Sequence, residues 1–170
     1  MVSEQRADRC ADRLMGALRA HGVNVIFGLR GVQLDAAFDA LARRRDAIDV
    51  YTLRNEQATS YMAEGYARVT GSVGRCLAVP GPGLLNANAG LASAYACNTP
   101  VVCIAGQIDS HGIGRGLGQL HEIPTSWGVL ASVTKWAGRI ESPERTEKWS
   151  RRRSGTCPRG AHVRLRWRSP

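Results

Sequence analysis

The stretch CLAVPGPGLLNANAGLASAYACNTPVVCIAG, residues 76–106, decides the fold. It begins with a short apolar run, Cys76 to Val79, which ends in the turn Pro80-Gly81-Pro82-Gly83. A segment rich in small residues, Leu84 to Cys97, has the length of a helix. The second apolar run, Pro100 to Ala105, has almost no polar residue, as is typical of a strand buried on both faces. The stretch therefore predicts a strand, a helix and a second, parallel strand.

The residues before this stretch repeat the same alternation. Apolar residues recur at helical spacing over Ala7 to Leu18, Leu34 to Leu41 and Glu56 to Val69, while short apolar runs lie at Val23 to Phe27 and Ile48 to Leu53. A fifth strand is predicted at Val133 to Trp136. Strict alternation with short connections predicts an α/β fold, an open doubly wound parallel sheet with helices on both faces. Ligands of such sheets bind beyond the carboxyl ends of the strands.

Composition limits the class of protein. At 170 residues and 44% hydrophobic content the chain is long enough for one domain with a real core. No apolar run approaches the roughly 20 residues of a membrane span, and the charged N-terminus has no apolar signal core. We therefore expect a cytoplasmic location and no membrane association.

The cysteines indicate neither a metal site nor a disulfide framework. Their number is odd, and no two have the C-x-x-C spacing of a zinc or redox site. Cys76, Cys97 and Cys103 lie among apolar residues, so we expect them to be buried, inert thiols. No metal ligands are predicted in this chain.

Charge divides the chain into two parts. Residues 1–140 hold 14 basic and 11 acidic residues, whereas residues 141–170 hold nine and three, so the tail carries most of the net charge of +9. We expect 1–140 to be the domain and 141–170 to be a basic tail, either disordered or produced by a change of reading frame in a GC-rich gene. A genuine arm that binds nucleic acid or another polyanion is the less favoured alternative. The alternation of Ala161, Val163, Leu165 and Trp167 with polar residues also allows a solvent-edged strand.

Three segments at the predicted strand ends carry candidate chemistry. Glu56 begins a helix directly after a strand, where it either stabilises the helix start or exchanges a proton with a ligand. Gly81-Pro82-Gly83, followed by Asn86, is either an ordinary turn or a place where a ligand approaches the backbone. Alternating glycines at 112, 114, 116 and 118 form a loop that matches no phosphate-binding motif. Gln119, His121 and Glu122 follow this loop, which could carry them to the crevice.

Taken together, these segments resemble a known family. The segments are Gly28-Leu29-Arg30-Gly31-Val32-Gln33, Arg54-Asn55-Glu56-Gln57-Ala58, residues 62–71 (MAEGYARVTG), Pro80 to Asn86, Pro100 to Gln107 and Thr134-Lys135-Trp136. Their order and spacing, from Asp8 to about Ile140, resemble the N-terminal pyrimidine-binding domain of the acetolactate synthase, benzoylformate decarboxylase and pyruvate oxidase family. These enzymes use thiamine diphosphate to act on 2-oxo acids as lyases or transferases, with the cofactor as the electron sink.

The resemblance implies roles for particular residues. Glu56 matches the glutamate that hydrogen-bonds the aminopyrimidine ring and so promotes loss of the proton from the thiazolium ring. Gly31, Pro80, Gly83 and Asn86 match positions that line the pyrimidine, and Gln119 matches a glutamine near the reacting centre. Arg30 and Asn55 depart from the proline and histidine usual in the family. Arg30 leaves the shape of its loop open and could place a cation near the cofactor.

The resemblance also implies what lies elsewhere. In the family, the diphosphate and its Mg²⁺ are held by a separate domain with a Gly-Asp-Gly signature, and FAD, where present, by a middle domain. Neither site is expected in this chain, which the resemblance implies is truncated and inactive alone. A separate chain could complete the site.

The same resemblance implies a homodimer. The face that would pair is formed by two helices that are rich in small residues. On the helix from Glu56 it comprises Ala58, Met62, Ala63 and Tyr66, and on the next helix it comprises Ala87, Ala89, Gly90, Ala92, Ala94 and Ala96.

Overall fold

The computed structural model describes residues 4–140 and 163–165, with side chains described from residue 10 to residue 140. These residues form five α-helices: α1 (Glu4–Ala20), α2 (Asp35–Ala42), α3 (Glu56–Thr70), α4 (Pro82–Ala96) and α5 (Ser126–Ser132). They also form six strands: β1 (Val25–Gly28), β2 (Asp49–Thr52), β3 (Gly74–Ala78), β4 (Val101–Ala105), β5 (Arg139–Ile140) and β6 (Val163–Leu165). A short 3-10 helix, Val32–Leu34, precedes α2.

The six strands form one sheet in the order β2-β1-β3-β4-β6-β5, and every neighbouring pair is parallel. The two strands of the stretch that decides the fold are adjacent, with Cys76 beside Cys103 and Ala78 beside Ala105. Both strands are buried along their whole length, as their apolar sequences predict.

Two apolar cores cover the two faces of this sheet. Because side chains alternate along a strand, Leu77 and Val79 join one core while Cys76 and Ala78 join the other. The first core contains the apolar faces of α1 and α2, and the second contains those of α3, α4 and α5. The predicted fold class, a doubly wound parallel sheet with helices on both faces, is therefore confirmed.

Helix α3 has a clear start and end that follow from its sequence. The Asn55 side chain accepts a hydrogen bond from Gln57 N at 2.8 Å and so caps the first turn. Gly71 ends the helix in the left-handed region, at a φ of 70°, which glycine adopts without steric cost. These two residues set the ends of α3, and the Asn55 cap places Glu56 in its first turn.

The region around residue 133 differs from the prediction. Of the fifth strand predicted at Val133 to Trp136, Trp136 alone forms an isolated β-bridge; Val133 ends α5, and the strand itself lies at Arg139–Ile140. Helix α5 was not predicted. Its signal was Thr125, whose hydroxyl accepts a hydrogen bond from Gly128 N at 2.9 Å as an N-cap, but seven residues are too few for a helical period to stand out.

One cysteine also departs from expectation. Cys76 and Cys103 are buried, whereas Cys97 is exposed. Cys97 follows the last residue of α4, and the chain leaves the core there, so its apolar neighbours in sequence do not cover it.

Strand β6 lies in the part of the chain predicted to be a tail. Val163 pairs with Ile104 of β4, and Arg164 pairs with Arg139 of β5, so this strand is interior rather than at a solvent edge. The predicted reading-frame change or disorder of 141–170 falls largely outside the described residues and stays a prediction. Among the helices of the described residues, none has the length and hydropathy needed to cross a membrane.

Candidate functional site

The candidate site lies at the carboxyl edge of the sheet, where the loops after β1, β2, β3 and β4 meet. This is the edge at which parallel sheets bind ligands. The loop after β1 supplies Gly31, the start of α3 supplies Glu56, and the loop after β3 supplies Pro80 and Gly83. Chain segments far apart in sequence therefore converge here.

Glu56 is a buried carboxylate at the start of a helix. The residue is 7% exposed and occupies the first turn of α3, where the helix dipole favours a negative charge. Asn86 Nδ2 of α4 donates a hydrogen bond to Glu56 Oε2 at 3.3 Å. Within the described residues, Asn86 is the one side chain that donates to this carboxylate. Glu56 therefore keeps most of its capacity to accept hydrogen bonds from a ligand.

Val79, at the end of β3, connects the predicted site residues. A methyl group added at Gly31 would overlap Val79 Cγ1, and one added at Gly83 would overlap Val79 Cγ2. The methyl group at Gly83 would also lie 2.9 Å from Glu56 Oε1. Both glycines are therefore required by close packing around Val79, and the backbone at Gly83 also lies against the Glu56 carboxylate.

The glycine-rich loop after β4 closes over this edge. The backbone oxygen of His121 lies 2.5 Å from where a Cβ of Gly81 would be, so the loop rests directly on the turn before α4. The Gln33 side chain also contacts the glycine-rich loop, at Leu120 and His121. Its Nε2 donates to Leu120 O at 3.1 Å, and its Oε1 lies 3.2 Å from His121 Nδ1.

The Gln33 amide is oriented by this pair of contacts. The Leu120 carbonyl can only accept, so the amide nitrogen of Gln33 faces it and the amide oxygen faces His121 Nδ1.

Glu122 and Gln119 lie within the loop. Glu122 accepts hydrogen bonds from Gly116 N at 3.2 Å and from Gln119 N at 2.9 Å, and so holds the turn of the loop together. The Gln119 side chain packs against Gly112, and its Oε1 is buried without a hydrogen-bond partner. Its predicted place near the reacting centre stays a prediction.

The Arg30 side chain lies on the face of the sheet that α1 and α2 cover. Its guanidinium carbon lies 5.6 Å from the centre of the Phe38 ring of α2, a cation–π distance. The loop after β1 is extended at Gly31, with a φ of −178°, and turns into the 3-10 helix through a hydrogen bond from Leu34 N to Gly31 O. Arg30 therefore does not distort the loop after β1, and its side chain packs against α2.

Of the predicted residues, Gly31, Glu56, Gly83 and Asn86 come together through direct contacts with one another or with Val79. Pro80 is buried in the turn between Val79 and Gly81. Sequence reasoning missed Val79 and Gln33, since one had the pattern of a strand end and the other that of a polar loop residue. Among the described residues, no group of three or more His, Cys, Asp or Glu side chains is placed to hold a metal ion.

These residues fit the aminopyrimidine of thiamine diphosphate, which is also called thiamine pyrophosphate. A heterocycle of this kind offers ring and exocyclic nitrogens, and Glu56 is a buried acceptor whose hydrogen-bonding capacity is largely unused. The glycines beside it allow the close packing of the backbone around Val79 and Glu56.

Known proteins are similar in sequence to this chain. The family model for the thiamine pyrophosphate enzyme, N-terminal TPP binding domain, matches residues 8–126. An acetolactate synthase of Arthrospira platensis is 37% identical over 132 residues, which are 76% of this chain and 22% of that protein. The acetolactate synthase isozyme 2 large subunit of Escherichia coli is 37% identical over 134 residues, 79% of this chain and 24% of that protein.

A probable 2-ketoarginine decarboxylase of Pseudomonas aeruginosa is 32% identical over 143 residues, 84% of this chain and 25% of that protein. The chain thus spans about a quarter or less of the length of these relatives. The family model covers well over half of the chain and includes all six predicted site residues. The chain belongs to the thiamine pyrophosphate enzymes, of which it is the N-terminal TPP-binding domain.

Proposed function

We propose that this chain forms the wall of a thiamine diphosphate site that holds the pyrimidine half of the cofactor. One observation carries the proposal: the Glu56 carboxylate is buried at the ligand-binding edge of the sheet, with a single side-chain donor among the described residues. A carboxylate that only stabilised the start of a helix would gain by facing solvent. Because much of its acceptor capacity is unused, this carboxylate is available to a donor that a ligand supplies.

Each residue has a distinct task in this proposal. Glu56 accepts a hydrogen bond from, or shares a proton with, a ring nitrogen of the pyrimidine, and Asn86 holds the carboxylate in place. Gly31 and Gly83 let their backbones pack closely against Val79 beside Glu56, and Pro80 lies in the turn that follows Val79. Gln119 is assigned to the reacting centre, and His121 borders the same crevice. When bound, the cofactor supplies the electron sink for cleavage beside the carbonyl of a 2-oxo acid.

The remaining parts of the site are proposed to lie outside this chain. The matched part is about a quarter of the length of these relatives, and we infer that another domain supplies the diphosphate and Mg²⁺ contacts. The whole enzyme would be a lyase or transferase like acetolactate synthase. That domain could belong to the same polypeptide or to a separate chain. The alternative function, polyanion binding by the Arg-rich tail, predicts DNA binding that weakens steeply as salt is raised.

The pyrimidine proposal is tested by comparing thiamine with thiamine diphosphate. If this chain contacts only the pyrimidine, both compounds should bind the full chain with the same weak affinity, and Mg²⁺ should change neither. A few hydrogen bonds of about 0.5–1.5 kcal/mol each fall well short of the roughly 8 kcal/mol of a micromolar complex. NMR titration should show amide shifts centred on Glu56 and Gly83.

Two variants sharpen this test. Glu56→Gln should abolish the shifts. Glu64→Gln is the matched control, because Glu64 is also a buried carboxylate on α3 but is bound within the chain by Ser93 and Arg68. Tight, Mg²⁺-dependent binding of thiamine diphosphate would contradict the division of the site. Turnover of pyruvate by the full chain above that of Glu56→Gln would contradict its inactivity alone.

We also propose that the chain forms a homodimer through α3 and α4. Four of the small residues expected on this face, Ala63, Ala87, Gly90 and Ala94, are buried within the chain itself. The outer surface still carries a set of exposed apolar residues, which comprises Tyr61, Met62 and Val69 of α3 and Leu85, Ala89 and Ala92 of α4. An exposed apolar surface on two adjacent helices is typical of an interface.

Light scattering at tens of micromolar, in high salt to suppress tail contacts, should report a dimer. Ala92→Glu should dissociate it, while Ala20→Glu, at an exposed position of α1, should not. A wild-type monomer under these conditions would remove the proposal. A cytoplasmic location is also proposed, because Cys76 and Cys103 lie side by side as reduced thiols, as a reducing compartment allows.

A further inference from the structure

A second cavity lies beyond the end of β4, behind the glycine-rich loop. Its volume is about 730 Å³. Gly114, Gly116 and Gly118 form one wall, and the start of α5 forms another. None of the six residues assigned to the pyrimidine site lines it. The residues that line it are therefore distinct from those proposed to contact the pyrimidine.

The polar groups of this cavity are mainly donors. Arg115 and Arg139 both line it, and neither guanidinium has a hydrogen-bond or ion-pair partner within the described residues. Gln107 is 4% exposed and lines it too; its Oε1 accepts from Ile108 N at 3.0 Å, which leaves its amide nitrogen free. The carboxylate of Glu122 is already engaged by two backbone amides of the loop. The cavity thus offers two cations and a buried neutral donor, with one acid that is already hydrogen-bonded.

Apolar side chains make up much of the rest of the lining, and Thr125 and Ser126 at the start of α5 complete it. The apolar residues are Ile108, Ile113, Ile123, Pro124 and the indole of Trp127. Trp127 is 53% exposed, and its ring nitrogen donates to Ala137 O at 3.4 Å, which ties the ring to the segment before β5. A cavity that joins apolar walls to a few charged donors selects ligands with an apolar body and an anionic end.

We propose that Gln107, Arg115 and Arg139 bind the carboxylate of an organic acid whose apolar body lies against Trp127 and the isoleucines. Guanidinium groups match the planar, two-oxygen geometry of a carboxylate and lose little on partial burial. A bare inorganic anion would leave the apolar walls unused. The proposal does not depend on thiamine diphosphate, because no residue of the pyrimidine site takes part.

The test uses the full chain and four probes: phenylacetate, its neutral amide, acetate and inorganic phosphate. Phenylacetate should bind saturably and shift the indole N–H signal of Trp127 in ¹⁵N NMR spectra. The neutral amide and acetate should each bind at least tenfold more weakly, since one lacks the charge and the other lacks the apolar body. Phosphate should not compete with phenylacetate at equal concentration.

Variants locate the binding groups. Arg115→Gln and Arg139→Gln should each weaken phenylacetate binding about tenfold, which corresponds to 1.4 kcal/mol. The matched control Arg13→Gln removes an exposed arginine of α1 that does not line the cavity and should leave binding unchanged. Circular dichroism melting curves verify that the variants fold.

Three results would overturn the proposal. These are the absence of saturable binding, equal affinity for the neutral amide, and an affinity that is unchanged in both arginine variants. Phosphate binding as tightly as phenylacetate would also overturn it, because the site would then recognise a simple anion. None of these results bears on Glu56, so they are distinguishable from failure of the pyrimidine proposal.

Discussion

The contact between Gly31 and Val79 gives the sharpest test of how the site is built. An added methyl group at Gly31 would overlap Val79 Cγ1, and its next neighbour, Val79 Cβ, would be 3.7 Å away. The backbone at Gly31 is extended, so alanine fits its conformation. Any cost of Gly31→Ala in this structure therefore comes from one side chain.

The size of the effect follows from packing. Val79 is buried and β-branched, so its methyl groups cannot turn away freely. Overpacking of this kind costs about 1–3 kcal/mol, and we expect Gly31→Ala to lower the free energy of unfolding by that amount. Val79→Ala should cost a similar amount through lost burial. In the Val79→Ala background the overlap is gone, so Gly31→Ala should then be close to neutral.

The assay is a double-mutant cycle, with urea unfolding of the full chain followed by circular dichroism. The coupling free energy should be about 1–3 kcal/mol, with the second substitution less harmful than the first. With a denaturant slope of about 1–3 kcal/mol per molar, the unfolding midpoint should shift by roughly 1 M.

Gly65→Ala provides the control for this cycle. Nothing lies near the added methyl group at this position of α3, so the substitution should stabilise the chain by up to about 1 kcal/mol. The gain should be equal in both backgrounds, because Gly65 does not contact Val79. If Gly31→Ala were harmless in the wild-type chain, or additive with Val79→Ala, the loop after β1 would not pack against the end of β3 and the site geometry would be refuted.

Three further predictions concern stability and reactivity. Burial alone would raise the pKa of Asp12, but hydrogen bonds from Arg44 and Arg43 outweigh burial and hold this pKa below 3.8. The stability that the ionised carboxylate contributes is therefore present above about pH 4 and is lost as pH falls through the lowered pKa. Asp12→Asn should therefore flatten the acid-unfolding curve below about pH 4 and cost at most about 1 kcal/mol at neutral pH, and an unchanged curve would contradict the ion pair. The neighbouring Cys103 thiol and burial raise the pKa of Cys76 well above 9.0, so an alkylating reagent should modify the exposed Cys97 and leave Cys76 intact until the chain unfolds, as mass spectrometry of the peptides would show. Gln119→Met should raise the melting temperature, because it removes a buried acceptor without a partner that costs about 1–3 kcal/mol, whereas a fall would indicate that Gln119 is hydrogen-bonded.

Much of the fold was readable because periodicity reports burial. Continuous apolar runs such as Val101–Ala105 indicated strands covered on both faces, and the turn at Pro80 to Gly83 marked the crossover to α4. The same logic failed near residue 133. There Trp136 and its neighbours resembled a strand, but Thr125 had already started a helix whose end falls at Val133. A seven-residue helix shows barely two turns, and local capping outweighed the pattern.

The site was predictable only in part, since sequence names residues but not the contacts between loops. Glu56 and Asn86 could be singled out from their positions, and they are hydrogen-bonded in the structure. The requirement for glycine at position 31 depends on Val79, 48 positions later, through a close approach that no local pattern reveals. Likewise, Gln33 fastens a loop almost 90 residues away. Such constraints arise only when the strands are in register.

The contacts that orient Glu56 all come from within the chain. Asn55 caps the helix that carries it, Asn86 holds its carboxylate, and Gly83 packs against it because Val79 fixes the turn before α4. A group held by so many short-range contacts is positioned before any ligand arrives, so binding need not include the free energy of ordering it. If the proposed pyrimidine site is correct, its contacts set geometry while the charges of the diphosphate supply affinity from elsewhere. The proposal then predicts a preformed wall in a chain that binds the cofactor weakly by itself.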